Sequence, residues 1–141
     1  MSKRKKQQIN RVGLLRSRGW NVDHSDKNTV RPHTGRETVR HWQVKCAICR
    51  LLSEANHTFF TEVQHKTRGA CDVLDCNIQG NGAYIYEVET NCSRDKHIEK
   101  VNQYTDNQNA DEIIDVFVID PTEAPSELDS LESWVSEKVV V

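Results

Sequence analysis

The chain has no run of about 18 apolar residues, so no transmembrane helix is expected. Its first ten residues, MSKRKKQQIN, are basic, but no apolar stretch follows them, so a secretory signal is not expected either. Aromatic residues make up only 6% of the chain, yet its centre is apolar enough to fold. Internal repeats are absent. The five cysteines, Cys46, Cys49, Cys71, Cys76 and Cys92, are an odd number. Without a signal peptide, that count fits reduced thiols in a cytoplasmic protein better than a disulfide framework. The length of 141 residues predicts one domain with room for one core.

Charge is present in quantity and unevenly placed. Residues 1–45 carry twelve Lys and Arg against Asp23, Asp26 and Glu37, a net of +9. Out of totals of 19 basic and 21 acidic residues, positions 46–141 keep 7 and 18, a net of −11. A basic arm on an acidic body points to a polyanionic partner for the arm. The alternative is a solvated tail. Residues 1–33 are read as this arm, partly flexible, and 34–141 as the folded domain.

Residues 3–18 predict a short basic helix with a thin apolar stripe, and residues 19–35 a loop. Thr34-Gly-Arg-Glu37 has the form of a capping box. Val44, Ile48, Leu51, Leu52 and Ala55 follow at helical spacing, so a helix is expected from Thr34 to near Asn56. Strands are expected over 57–64, 70–76 and 83–90, the last two joined by a turn that contains Asn-Gly. A helix over 93–105 and a strand over 111–120, buried on both faces, come next. Ser126 would cap a last amphipathic helix through Leu128, Leu131 and Val135. The order α-β-β-β-α-β, then α, implies an α/β fold with a mixed sheet covered by helices on both faces.

The strands carry acids where apolar residues would be ordinary. Asp72 and Asp75 lie in one, Glu87 and Glu89 in the next. A lone carboxylate in a sheet costs several kcal/mol unless something pairs with it, roughly 3–5 by the usual measure. Glu87 and Glu89 are two apart and leave the same face, and Asp72 sits on the neighbouring strand. Such acids persist most readily around a hard divalent cation, Mg²⁺ or Mn²⁺. Their alternatives are a solvated face, pairing with Lys or Arg, or, for Asp75, an ordinary strand end.

The pattern Gly69-x-x-Asp72-Val73-Leu74-Asp75, a short turn, then Tyr86-Glu87-Val88-Glu89-Thr90-Asn91 resembles the PD-(D/E)xK nuclease superfamily. It looks most like archaeal and archaeal-virus members akin to Holliday junction resolvases. The resemblance covers roughly residues 34–120, and its motif is short and degenerate. It implies a restriction-endonuclease-like core and a Mg²⁺- or Mn²⁺-dependent DNA endonuclease, with Asp72 and Glu87 as metal ligands. The family usually has Lys where this chain has Glu89. The resemblance then implies either another ligand or a general base at Glu89, as in family members with an ExE form, or a cation supplied from elsewhere. Lys96, Lys100 and Lys45 are the candidates, against the plain reading of Lys96 and Lys100 as an exposed helical pair. Glu37, with His41 and Lys45 at i+4 and i+8, is the first-helix acid the family often adds, unless it serves only the cap. Glu62 is a weaker candidate, and Gln103-Tyr104 is similar to a Gln/Tyr pair that some members place near the site, unless Tyr104 is core.

Lys3, Arg4, Lys5, Lys6, Arg11 and Arg68 are the expected phosphate contacts, for DNA recognised by shape or ends. Symmetric cutting of a junction suggests a homodimer, with Trp134 and the C-terminal valines as one surface for it. Two other readings stand beside this one. A nuclease-fold protein that binds DNA without cutting follows from the Lys missing at position 89. A small zinc-binding regulator would use the cysteines with His57 or His65, although Cys46-x-x-Cys49 lies inside a helix and lacks a second such pair.

Overall fold

A computed structural model describes residues 3–33, 35–76, 82–105 and 111–141, the side chains of residues 4, 5 and 7–10 excepted. Its helices are α1 (Lys3–Ser17), α2 (Val39–Glu54), α3 (Arg94–Thr105) and α4 (Leu128–Ser136). Its strands are β1 (Thr58–His65), β2 (Gly69–Cys76), β3 (Ala83–Val88) and β4 (Ile113–Ile119). Single 3-10 turns occupy His24–Asp26 and Pro121–Glu123. The four strands run in the order β1-β2-β3-β4, the first two pairings antiparallel and β3–β4 parallel. Parallel neighbours need a crossover, and α3 supplies it. The class is the expected one: mixed α/β, with a mixed sheet between helices. Among the described residues no helix is long and apolar enough to cross a membrane.

Two apolar layers flank the sheet. On one face Val12 and Leu15 of α1, Trp20, Val22 and Tyr104 of α3 pack against Phe60, Leu74, Ile85 and Val116. On the other, Val44, Ile48 and Leu52 of α2 and Leu131 and Val135 of α4 cover Phe59, Val73, Tyr86 and Ile119. The alternation of apolar side chains along β2 and β3 requires both layers, because successive residues leave opposite faces.

Several expected boundaries move. The segment 1–33 is not an appendage throughout: Val12, Leu15, Trp20 and Val22 are core residues. Burying Trp20 to 2% exposure contributes roughly 2–3 kcal/mol, which ties the segment to the domain. Helix α2 begins at Val39, where Thr38 Oγ1 accepts from the His41 amide. The box expected at Thr34 rests on a residue outside the description, and Glu37 precedes the helix. The turn over 77–81 is also outside it. Strand β4 is not buried on both faces. It is an edge strand with Ile114 47% exposed and Asp115 turned out, its carboxylate accepting from the Val116 amide. Glu127, not Ser126, is the N-cap of α4, and it makes no side-chain capping bond.

Candidate active site

The site forms where β2 and β3 part. Their ladder ends at Val73 opposite Tyr86, one step before Asp72 and Glu87. Past that point side chains take over the backbone pairing. The Asp72 amide donates to Glu87 Oε2 at 3.1 Å, and the Val88 amide donates to Asp72 Oδ2 at 2.7 Å. The two carboxyls lie close enough that each perturbs the ionisation of the other. From α3, Tyr104 Oη lies 2.5 Å from Glu87 Oε1 and 2.8 Å from the Ala70 carbonyl. Gly69 opens β2 at φ +84°, and a Cβ there would lie 3.0 Å from Gln103 Nε2, whose amide bonds the Arg68 carbonyl. A left-handed residue without a side chain lets the chain turn into β2 against α3.

Charge within this pair is unevenly shared. Burial pushes the Glu87 carboxyl up, and the neighbouring Asp72 charge pushes it further, to about 8. Burial also opposes ionisation of Asp72, but bonds from His41 and the Val88 amide outweigh it and hold Asp72 below the usual range. One proton between two facing acids is what mutual repulsion at close range requires.

Helix α2 brings its own group. His41 Nε2 stands 3.5 Å from Asp72 Oδ2, and His41 Nδ1 bonds Glu37 Oε2. Its bond to Asp72 raises the imidazole pKa above the ordinary value, against the effect of burial. Lys45, fully buried, places Nζ 2.8 Å from Glu37 Oε2, 2.7 Å from the Arg31 carbonyl and 3.9 Å from Glu62 Oε1. Burial opposes ionisation of Glu37 most, yet the bond from Lys45 and the His33 amide prevail and hold it low. Glu37, His41 and Lys45 therefore do share a face, and Glu37 joins the site, its Oε1 taking the His33 amide. Burial pushes Glu62 up, and its carboxylate looks toward Lys45.

An open cavity of about 330 Å³ lies over these groups, lined by Glu37, His41, Asp72, Glu87, Glu89 and Lys100. Glu89 lies just past the end of β3, its amide bonded to the Ile119 carbonyl. Lys100 Nζ lies 3.8 Å from Glu87 and 3.9 Å from Glu89. The amine that reaches the acids is thus Lys100 and not Lys96. Lys96 is exposed near the start of α3, where its amide is capped by Ser93 Oγ, and its side chain is not among the groups lining the cavity. A second correction concerns Arg68. Its guanidinium is inside, 2.8 Å from Glu112 Oε1 and 3.0 Å from the Tyr104 carbonyl, so it does not face a phosphate. Arg11 is half-buried with Asp75 and Cys76 near it, while Lys3 and Lys6 are exposed. The side chains of Arg4 and Lys5 lie outside the description. His33 and Arg36, which also line the cavity, were not expected: they sit in a loop, where no periodicity marks them.

The donor set fits a hard divalent cation in part. Asp72 and Glu87 offer adjacent carboxylate oxygens whose mutual repulsion a cation would relieve, with Glu89 at the rim. Among the described residues, no three His, Cys, Asp or Glu side chains converge as a ready-made cage. Glu89 faces Lys100 instead of closing the set. Zinc ligation by the cysteines gains no support either. Cys49, Cys71 and Cys76 are buried free thiols, and burial pushes Cys49 up to about 12, away from the thiolate that zinc needs. Asp75 is fully buried and bonded to His57 Nδ1 at 3.0 Å, away from the cavity.

Comparison with known proteins returned no matching family model, no similar curated protein and no similar solved structure.

Proposed function

We propose that the protein is a divalent-cation-dependent DNA endonuclease of restriction-endonuclease-like architecture that hydrolyses phosphodiester bonds, with a branched duplex such as a Holliday junction as its expected substrate. The observation that carries this reading is the Asp72–Glu87 carboxyl pair, set at the point where β2 and β3 separate and open to a cavity. Asp72 and Glu87 would hold Mg²⁺ or Mn²⁺, with Glu89 beside them. When bound, such a cation supplies Lewis acidity and lowers the pKa of water. The chain's own groups do the rest. Lys100 places a positive charge between Glu87 and Glu89, where the transferred phosphoryl charge needs one and where position 89 itself cannot supply it. His41 orients Asp72, and Glu37 with Lys45 orients His41. Lys3, Lys6 and Arg36 are exposed basic groups that suit phosphate contacts. A pair of cuts at a junction calls for two copies, and the exposed Val140 and Val141 remain one surface for pairing.

A second reading, a DNA-binding protein of this architecture without catalysis, is favoured by Glu89 standing in place of Lys. Incubation of the full chain with branched and linear DNA, with Mg²⁺ or Mn²⁺, separates the two. The enzyme cuts, and Asp72→Ala does not. Cutting by the variant equal to wild type would remove the hydrolytic reading. Binding without cutting by either protein would establish the second.

A further inference from the structure

Glu62 is a non-glycine residue in the left-handed region, φ +51°, in the middle of an otherwise extended strand. Its place in the β1–β2 ladder is empty: Thr61 pairs Val73 and Val63 pairs Cys71, while Glu62 and Asp72, which fall opposite each other, pair with nothing. The alternation of faces changes phase at that rung on both strands. Phe60 and Val63, three apart, enter the same core layer under α1 and α3. So do Cys71 and Leu74, again three apart. On an uninterrupted strand Asp72 would share a face with Leu74 and point at the layer under α3. Instead it meets His41 of α2 and the Val88 amide.

We propose that the left-handed backbone at Glu62, rather than its carboxylate, is the positioning device that turns Asp72 into the cavity. For its effect on catalysis the inference rests on the hydrolytic reading above. A glutamate gains nothing from this conformation locally, and such strain persists only where surrounding structure holds it. The carboxylate itself is dispensable by geometry. Lys45 keeps Glu37 at 2.8 Å and the Arg31 carbonyl at 2.7 Å without the weaker contact to Glu62 at 3.9 Å. Asn and Gly tolerate the left-handed region, whereas β-branched Val opposes it.

The test compares Glu62→Asn, Glu62→Gly and Glu62→Val in the full chain. It reads amide exchange of Val88, whose proton is held by Asp72, against that of Leu74 and Ile85, which belong to the intact ladder. It also reads kcat and KM for Mg²⁺-dependent cleavage. Glu62→Val accelerates Val88 exchange about tenfold or more relative to Leu74 and Ile85. It lowers kcat about a hundredfold with KM for DNA unchanged, the cost of a misplaced group. Glu62→Asn and Glu62→Gly keep both near wild type. Wild-type exchange at Val88 in Glu62→Val would overturn the inference, as would Asn and Gly variants whose Val88 amide is as exposed as in the Val variant. If Glu62→Val fails to fold, the Asn and Gly variants still decide, since faster Val88 exchange in both would assign the role to the carboxylate. If the wild type cuts no DNA, the hydrolytic reading falls, and the exchange rates alone decide the positioning role.

Discussion

Glu112 and the Asp72–Glu87 pair are both withdrawn from water, near opposite ends of β3, and they are neutralised in opposite ways. Glu112 is fully buried with a dedicated cation: Arg68 lies 2.8 Å from its Oε1, and Trp20 Nε1 donates to the same oxygen at 3.0 Å. Asp72 and Glu87 have each other. Their nearest bases, His41 and Lys100, stand off at 3.5 and 3.8 Å. A buried acid with its own guanidinium is built to hold the fold together. Two acids that share a proton at the mouth of a cavity have no such dedicated partner, and the proposed cation would supply the missing positive charge.

Substitutions should separate these two designs. The largest effect falls on the pair. Asp72→Asn keeps an acceptor for the Val88 amide but removes one charge, so cleavage should drop about a thousandfold. In a thermal melt with chelator present, the same variant should lose less than Glu112→Gln, because Asn still accepts from the Val88 amide and no buried cation is left without its partner. Glu112→Gln should do the reverse. It leaves Arg68 charged and buried without its partner, a loss of about 3 kcal/mol and roughly ten degrees in melting temperature. Cleavage per folded molecule should be unchanged. A stability loss in Asp72→Asn equal to that of Glu112→Gln would break the contrast.

The pH dependence sharpens it. Glu87 titrates near 8 in the folded chain against an ordinary 4.5. Between those values the folded state binds the proton and the unfolded chain does not. The stabilisation is therefore complete below about 4.5 and lost as pH rises through about 8. Ion-free protein should lose on the order of 2 kcal/mol over that window by denaturant titration, and Glu87→Gln should flatten the slope. The smallest effect separates two lysines. Lys100→Gln should lower kcat about tenfold. Lys96→Gln, exposed and away from the acids, should stay within about twofold of wild type.

Much of the scaffold was legible in the chain because it follows from short-range periodicity. Apolar runs bounded by an Asn-Gly turn mark β2 and β3, and 3.6-residue spacing marks α2. The parting of Asp72 and Glu87 from ordinary strand residues was legible too, since acids in apolar runs need a partner. What escaped depends on distant contacts. Arg68 reads as a surface cation until Glu112, far along the chain, is folded against it. Trp20 reads as loop until His65 and Tyr104 close on it, at ring distances of 4.8 and 5.9 Å. Lys96 and Lys100 share a face of α3 one turn apart, so choosing between them needs the position of the helix along the sheet, which the contact of Tyr104 with Glu87 reports. The left-handed turn at Glu62 has no local signature, because glutamate is not a residue that favours it. The start of α2 differs from the expected one because Thr38, four residues after Thr34, also offers a hydroxyl, and it caps the helix that begins at Val39.

Titration calorimetry of Mn²⁺ into the chelator-stripped full chain near pH 7 tests the cation site most directly. The account predicts saturable binding at the Asp72–Glu87 pair with release of the proton that Glu87 carries, and loss of both in Asp72→Asn and Glu87→Gln. Undiminished Mn²⁺ binding in those variants, or none in the wild type, would contradict it.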